Sequence, residues 1–362
     1  MTGRPWPFSS TILAVDVRDF DFDLPPELIA QQPPRERTAA RLLAVDRRRA
    51  ALVHTTITAL PELLSPGDVL VVNNTRVFAA RLLGHRVPSG GAVECLLVRR
   101  VEPDEVWEAL VHPGSKLRPG GRLVFEGRRV IQAEILERKF FGRRRIRLWT
   151  EDGSSIDDAI DAIGHVPLPP YIKRGDEAAD HERYQTVFAR ERGSVAAPTA
   201  GLHFTADLIA ALAARRVALV EITLHVGYGT FQPVRVERVE DHRVEPERFA
   251  ISEAPAAAIN RALDEGRRII AVGTTTTRTL EAVAQAHGGR IVAGSDITDL
   301  FIYPGFSFRV VGGLLTNFHM PRSSLLMLVS AFGGRDLVRA AYDAAVARRY
   351  RFYSYGDAML IL

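Results

Sequence analysis

The chain has 362 residues, 46% hydrophobic and 25% charged, the balance of an ordinary globular protein large enough for one big domain or two smaller ones. Its single cysteine, Cys95, excludes an intrachain disulfide and a multi-cysteine metal site and fits a reducing compartment; no apolar run approaches the roughly 18 residues of a membrane span, so a cytoplasmic protein without a membrane partner is expected. Net charge is only +4, yet all but Lys116, Lys139 and Lys173 of the 47 basic residues are Arg, whose fork grips phosphates and stacks on bases, so a nucleic-acid partner is permitted without being demanded.

Residues 1–15 read as a loose, Pro-containing extension. Residues 42–46 and 51–56 form a hairpin around Arg47–Arg49, and 69–72 form a buried strand running into the polar cluster Asn73, Asn74, Thr75 and Arg76. In α/β proteins ligands gather at such strand ends, although an Asn-rich turn is also common there. From 81 to 150 short β-rich runs alternate with Gly-rich turns and no helical period is present, which predicts a small antiparallel barrel or sandwich inserted between α/β segments. Arg128, Arg129, Arg138, Lys139 and 143–147 cluster there as a solvated face or an RNA-facing patch.

Ser154 or Ser155 caps a helix carrying Ile156, Ala159, Ile160 and Ile163, which Gly164 ends. An extended segment then closes on Lys173 and Arg174. Residues 193–205, GSVAAPTAGLHFT, hold no charge apart from a possible proton on His203. Pro198 fixes one turn there, Gly201 is expected to supply a backbone angle closed to other residues, and Thr205 caps the next helix. The stretch suits a ligand-binding loop as well as a packed turn. In the strand 218–226, Val220, Ile222, Leu224 and Val226 share one face while Glu221, Thr223 and His225 share the other, where polar groups need hydrogen bonds or a ligand. The turn Gly227-Tyr-Gly229 that follows lets backbone approach a ligand.

The strand 268–272 enters Gly273 and Thr274–Thr277, then Arg278, at a helix start. Free N–H groups and the helix dipole make this an anion-ready site, though simple N-capping by Thr accounts for the pattern equally well. A strand is expected at 299–303, an apolar helix at 324–332, another helix at 336–349 and a last buried strand at 355–362. Strands alternating with helices argue for a mostly parallel sheet layered by helices.

His203, His225 and His319 each lie in or beside a small-residue loop and are candidate general acids or bases, with Glu221 placed to orient His225. Asn73, Asn74, Thr199, Thr230 and Asn317 offer neutral hydrogen bonds; Arg76, Lys173, Arg174, Arg278 and Arg322 offer anion contacts. Neither a zinc helix nor a serine-nucleophile elbow is recognisable, so these residues describe a metal-free enzyme for a polar, partly anionic substrate.

Several long motifs narrow this further. They are FDFDLP (20–25), GDVLVVNNTRV (67–77), PLPPYIKR (167–174), ERYQTVF (182–188), the run 193–205, TLHVGYGTFQPV (223–234), AVGTTTTRTLE (271–281), TNFHMPRSSLLM (316–327) and YRFYSYGDAM (350–359). Through them the chain resembles the S-adenosylmethionine:tRNA ribosyltransferase-isomerases of queuosine biosynthesis, from about Phe20 onward. Two departures stand out: Thr276–Thr277 where the family usually has a Ser or Val, and Val244-Glu-Pro-Glu247 where it usually has a second His.

The resemblance implies a layered α/β/α main domain (16–66 and 151–362) with a small antiparallel β-barrel (67–150) inserted. It implies S-adenosylmethionine as ribosyl donor and co-substrate, with no prosthetic group and no metal. The acceptor is a tRNA with 7-aminomethyl-7-deazaguanine at its wobble position, and the products are epoxyqueuosine-tRNA, adenine and methionine. A monomer is expected. On this reading His203 and His225 form an acid–base pair with His319 third. Residues 193–205, including Pro198, Thr199 and Gly201, floor the nucleoside site, with Gly227, Gly229 and Asn317 nearby. Thr274, Thr275 and Arg278 hold the methionine carboxylate or an RNA phosphate, and Asn73–Arg76 with Lys173 and Arg174 contact the nucleotide or anticodon backbone. The alternatives are a relative acting on another nucleobase or RNA, and a tRNA-binding module without catalysis.

Overall fold

The computed structural model describes residues 15–102, 104–114, 117–139 and 142–362. The expected N-terminal extension lies outside them apart from Val15. Strands β1 (Arg41–Asp46) and β2 (Ala51–Thr56) form the expected hairpin. Asp46 Oδ1 accepts from the Arg48 and Arg49 backbone N–H groups at 2.9 and 3.0 Å and so sets the turn. Helix α1 (Leu60–Leu63), β3 (Val69–Asn73) and β4 (Thr75–Val77) follow.

Six strands, β5 (Arg81–Val87), β6 (Ala92–Glu102), β7 (Val106–His112), β8 (Arg122–Glu126), β9 (Val130–Arg138) and β10 (Arg143–Trp149), close into a barrel in the order β10-β7-β6-β5-β8-β9. Alternate residues such as Leu82, Cys95, Leu97, Phe125, Ile135 and Ile146 fill its interior. Helix α2 (Ile156–Ile163) packs Ile156, Ala159 and Ile160 into the same core, capped by Ser155, which accepts from the Asp158 N–H. The boundary expected at residue 67 does not coincide with the first barrel strand, because β3 belongs to the main sheet.

Beyond the barrel come α3 (Asp180–Arg183), β11 (Glu191–Ser194), α4 (Ala206–Ala214), β12 (Ala218–Leu224), β13 (Glu247–Ile251), α5 (Glu253–Asp264), β14 (Ile269–Val272), α6 (Thr274–Ala286), β15 (Gly294–Thr298), β16 (Val311–Asn317), α7 (Ser324–Gly333), α8 (Arg335–Ala347) and β17 (Ala358–Ile361). The nine-stranded sheet runs β15-β13-β12-β3-β14-β16-β17-β1-β2. Its centre, β12-β3-β14-β16, is parallel; antiparallel pairings flank it on both sides, so the sheet is mixed rather than mostly parallel. Strand β15 lies just before the strand expected at 299–303. There Thr298 Oγ1 accepts the Leu300 N–H, and the Leu300 carbonyl is taken by Arg278, which draws that segment out of the sheet.

Period-2 burial covers both sheet faces. Val69 and Val71 join the core with α5, α6, α7 and α8, while Leu70 and Val72 join the core with α1 and α4. No helix among the described residues is long and apolar enough to cross a membrane.

Candidate active site

Where the parallel strands end, the chain leaves a cleft of about 650 Å³. After β14, Gly273 adopts φ 94° as the N-cap of α6, a conformation for which glycine is suited, and carries Thr274 and Thr275 into the wall. At the end of β16 Asn317, and after it Phe318, His319 and Met320, line it. The turn Thr199–His203 contributes Thr199 and Ala200, preceded by Ala197 and Pro198. Val226, Thr230 and Phe231 come from the segment beyond β12, Tyr353 and Ser354 from the approach to β17, and Tyr171 from the extended segment after α2. None of the lining residues is Asp, Glu, Lys or Arg.

Asn317 ties the floor together. Its Oδ1 accepts from Thr199 Oγ1 at 3.0 Å, and its Nδ2 lies 3.2 Å from both His203 Nε2 and the Tyr353 carbonyl. With the amide so oriented, His203 Nε2 is an acceptor and the ring is neutral. Burial, reinforced by the Arg37 charge, holds His203 down at about 4. Its ring faces a second, smaller cavity with Pro33, Arg37 and Tyr355, one hydrogen bond behind the cleft. His319 does line the cleft; its Nε2 is 2.8 Å from Thr316 Oγ1, its N–H donates to the Tyr342 hydroxyl, and burial lowers it to about 3. Both rings are therefore neutral imidazoles throughout the physiological range.

His225 follows β12 and hydrogen-bonds through Nδ1 to Thr75 Oγ1 at 2.9 Å, which in turn meets Ser194 Oγ at 2.8 Å. Burial lowers its pKa, with Arg248 adding to the effect. Gly193 makes room for this ring: a Cβ there would sit 2.7 Å from it.

A further cavity, of about 410 Å³, adjoins the cleft and shares Thr230 and Leu325 with it. Gly229, Glu245, Glu247 and Arg278 line it. Arg278 and Glu247 form a buried pair at 2.6 Å; Arg278 Nε donates to the Leu300 carbonyl, and Nη2 is buried with no partner. Glu247 Oε1 also accepts the Gly227 N–H, yet burial pushes its carboxyl pKa above the ordinary value.

The family model for queuosine biosynthesis proteins matches residues 17–361. The chain belongs to the queuosine biosynthesis family. Its relatives include an S-adenosylmethionine:tRNA ribosyltransferase-isomerase of Desulfitobacterium hafniense, 49% identical over 346 residues that make up 96% of this chain and 99% of that protein. The protein of the same name from Symbiobacterium thermophilum is 52% identical over 344 residues, 95% of this chain and 99% of its own. A crystal structure of S-adenosylmethionine tRNA ribosyltransferase from Thermotoga maritima, 37% identical, aligns with a TM-score of 0.54 over 95% of this chain and 100% of that one.

Within this family member the expected site residues separate by position. Pro198, Thr199, Thr274, Thr275, Asn317 and His319 meet in the cleft. Gly229 and Arg278 meet in the adjoining cavity, and Gly227 reaches it through its bond to Glu247. Glu221 does not orient His225: it pairs with Arg190 and accepts from Asn74 Nδ2 at 3.4 Å. The two residues are four apart on an extended strand, and each reaches sideways to its own neighbour instead. Asn73 is a buried clip between β3 and β12, bonded to both the N–H and the carbonyl of Leu224. Asn74 accepts from Thr223 Oγ1 at 2.7 Å. Arg174 is occupied by the buried Asp180 at 2.6 and 2.9 Å, and Lys173 Nζ donates to the Pro170 carbonyl. Arg322 pairs with Asp21. Arg76 is exposed.

Gly201 sits in the 3₁₀ turn without a positive φ; its lack of a Cβ serves close packing, since one would lie 2.9 Å from Thr186 Cγ2. Of the two readings the sequence left open at α6, N-capping by the threonines is not what is found: Gly273 is the N-cap and no side chain caps it. The Thr276, Thr277 and Thr279 hydroxyls donate back to carbonyls four residues earlier, which leaves Thr274 and Thr275 to face the cleft. Sequence reasoning passed over Tyr171, Phe231, Tyr353 and Ser354, although each lies inside a motif quoted above; an aromatic in each of three separate loop motifs was the available signal.

Proposed function

We infer that this chain is an S-adenosylmethionine:tRNA ribosyltransferase-isomerase. It transfers the ribosyl unit of S-adenosylmethionine, with isomerisation, to the 7-aminomethyl-7-deazaguanine at the wobble position of tRNA; epoxyqueuosine-tRNA, adenine and methionine are the products. The observation that carries this is the family match across residues 17–361.

The cleft is assigned to the nucleoside part of S-adenosylmethionine, a moderately apolar group that suits its small, uncharged lining. The sulfonium acidifies the adjacent 5′ carbon, so a base must take a proton there. Adenine leaves after accepting a proton, and the incoming amine must be neutral to attack. His319, neutral and in the wall, is proposed to handle a proton directly. His203 acts one bond away by fixing Asn317; His225 is bonded to Thr75 and does not line the cleft, so the two do not form the expected acid–base pair, and His225 is assigned to holding its own loop. A cationic substrate beside His319 keeps the ring unprotonated at the start of the reaction, the form able to take a proton, and the charge is relieved as the 5′ carbon gives that proton up.

Thr274 and Thr275, at the N-terminus of α6, and Arg278, with its unpartnered Nη2, are proposed to hold the amino-acid end of the substrate. The adjoining cavity offers both Arg278 and the Glu245–Glu247 pair of carboxylates, which complements a zwitterion. Arg76 and the exposed Arg122, Arg128, Arg138 and Arg147 of the barrel are proposed to meet tRNA phosphates. Arg144 is excluded from that role, being buried with Nη2 on the Gly114 carbonyl at 2.6 Å. A monomer with no prosthetic group completes the proposal.

The test is incubation with S-adenosylmethionine and tRNA bearing the deazaguanine base. Free adenine and a ribosyl mass gain on the tRNA are expected. Adenosylhomocysteine with a methyl mass gain, or no reaction, refutes the reading.

A further inference from the structure

The substrate assigned to the cleft carries a permanent positive charge on sulfur, yet no carboxylate lines the cleft. Most of the oxygen donors in the wall are already engaged. Ser354 Oγ is bonded to the Tyr171 hydroxyl at 2.6 Å, Thr199 Oγ1 to Asn317 and Thr316 Oγ1 to His319. The Tyr353 carbonyl is taken by Asn317 Nδ2. The Thr230, Thr274 and Thr275 hydroxyls remain; the last two stand at the positive end of α6, which repels a cation, and a single neutral hydroxyl is no counter-ion.

The rest of the wall is apolar, part of it small or aliphatic (Ala197, Pro198, Ala200, Val226, Met320, Leu325) and part aromatic. Tyr171 and Tyr353 touch with centroids 4.6 Å apart, and Phe231 meets Tyr171 edge-on at 6.0 Å. Tyr353 is held at φ 71°, a left-handed conformation rare for a bulky residue. Its N–H donates to the Phe318 carbonyl at 3.1 Å, so bonds on both sides maintain the conformation. Strain of this kind at a cleft wall marks a ring placed for use.

We propose that Tyr171, Phe231 and Tyr353 form a box that binds the sulfonium through their ring faces, in place of a counter-ion. The assignment rests on the cleft being the S-adenosylmethionine site. Its chemical sense follows from the reaction. A carboxylate against the sulfonium would offset the positive charge that acidifies the neighbouring 5′ carbon. An aromatic quadrupole attracts the cation without placing a full negative charge beside it. Because Tyr171 and Tyr353 are already in contact, the cation lies against their exposed surfaces rather than between them. Binding of the sulfonium changes no bond; the box is a recognition and positioning device.

The experiment compares equilibrium binding of S-adenosylmethionine with that of its uncharged thioether, S-adenosylhomocysteine, to the full chain. Wild type, Phe231→Leu and Tyr171→Leu are measured, with Phe231→Tyr and Tyr171→Phe as ring-keeping controls. Each Leu variant is expected to lose roughly two- to thirty-fold in affinity for the sulfonium, the range of one cation–π contact. The thioether should change by less than about two-fold, since a Leu of similar bulk keeps the wall. Ring-keeping variants should retain the wild-type ratio. Equal losses for both ligands, or none, overturn the box and leave the rings as shape alone. If a Leu variant fails to fold by circular dichroism, the other is read. If both fail, wild type is titrated with the isostere carrying a tertiary amine for the sulfonium, above and below the pKa of that amine. Tighter binding of the cationic form supports the proposal, and equal binding overturns it. Wild type that neither binds S-adenosylmethionine nor releases adenine refutes the function itself, an outcome distinct from failure of the box.

Discussion

Replacing Arg278 by Met keeps the apolar stem but removes the only cation bonded to Glu247 among the described residues, Glu247 being a carboxylate 4% exposed. The Gly227 N–H still reaches Glu247, but a single neutral donor does not compensate a buried charge. Breaking one side of such a pair costs about 3–5 kcal/mol, a large fraction of the roughly 5–15 kcal/mol that holds a folded protein together. The cost depends on pH in a defined direction. Burial already raises the Glu247 pKa in the folded state, and loss of Arg278 raises it further. A carboxyl whose folded pKa lies above its unfolded value destabilises most at high pH and recovers as pH falls through the folded value. Urea unfolding of wild type and Arg278→Met at pH 8 and pH 5 should therefore show a deficit that shrinks at the lower pH. Adding Glu247→Gln should reduce the deficit at pH 8 to about 1–2 kcal/mol, because no buried charge is left unpaired. A deficit that is the same at both pH values and unmoved by Glu247→Gln would show that packing of the Arg stem, not the ion pair, is the source.

Replacing Asn317 by Ala should lower turnover on the order of 100-fold with tRNA affinity nearly unchanged, because the floor, His203 and Tyr353 lose their shared anchor; single-turnover adenine release measures it. His203→Ala, which removes one partner of Asn317, is expected to lower adenine release by about 10- to 100-fold, no more than Asn317→Ala, while a gel shift with tRNA persists, and turnover within a few-fold of wild type would rule out its role. His203 and His319, held at about 4 and about 3, stay neutral in the folded state while the unfolded chain takes up protons below its usual His pKa. Stability should be full above about pH 6.5 and fall by several kcal/mol between there and pH 4, and His319→Gln should flatten that fall in a urea series. Gly193→Ala should displace the His225 ring from Thr75, costing about 1–3 kcal/mol; a wild-type melting curve would refute the close contact. Changing exposed barrel residues Arg128, Arg138 and Arg147 to Gln should each lower the salt slope of tRNA affinity by about one and leave S-adenosylmethionine binding intact.

Much of this fold is readable from side-chain period. The alternation in β12 places Val220, Ile222 and Leu224 in the core, and the polar face finds the partners that burial demands in Arg190, Asn74 and Thr75. The Gly-punctuated β runs give the barrel. What period does not reveal is which strand a strand joins: β3 looks contiguous with the barrel but hydrogen-bonds to β12 and β14, more than a hundred residues downstream. Site residues show the same limit. Side-chain chemistry marks His203, Arg174 and Glu221 as reactive groups, but not the partners that engage them: the buried Asn317 from more than a hundred residues away, the buried Asp180 from the next helix and the exposed Arg190 from another strand's approach. A glycine likewise looks the same in sequence whether it serves a positive φ, as Gly273 does, or close packing, as Gly201 does.

The order of the nine-stranded sheet bears on synthesis. The barrel is assembled from strands neighbouring in sequence and can close while the ribosome is still translating. The sheet cannot: β1 waits for β17, whose residues Ala358–Ile361 emerge more than three hundred positions later. Until then the hydrophobic edges of β1 and β16 have no cover, and Tyr353 and the Asn317–Tyr353 bond do not exist. A nascent or prematurely terminated chain would therefore carry a closed barrel beside an unfinished cleft, whose wall is complete only once Tyr353 and β17 have been made.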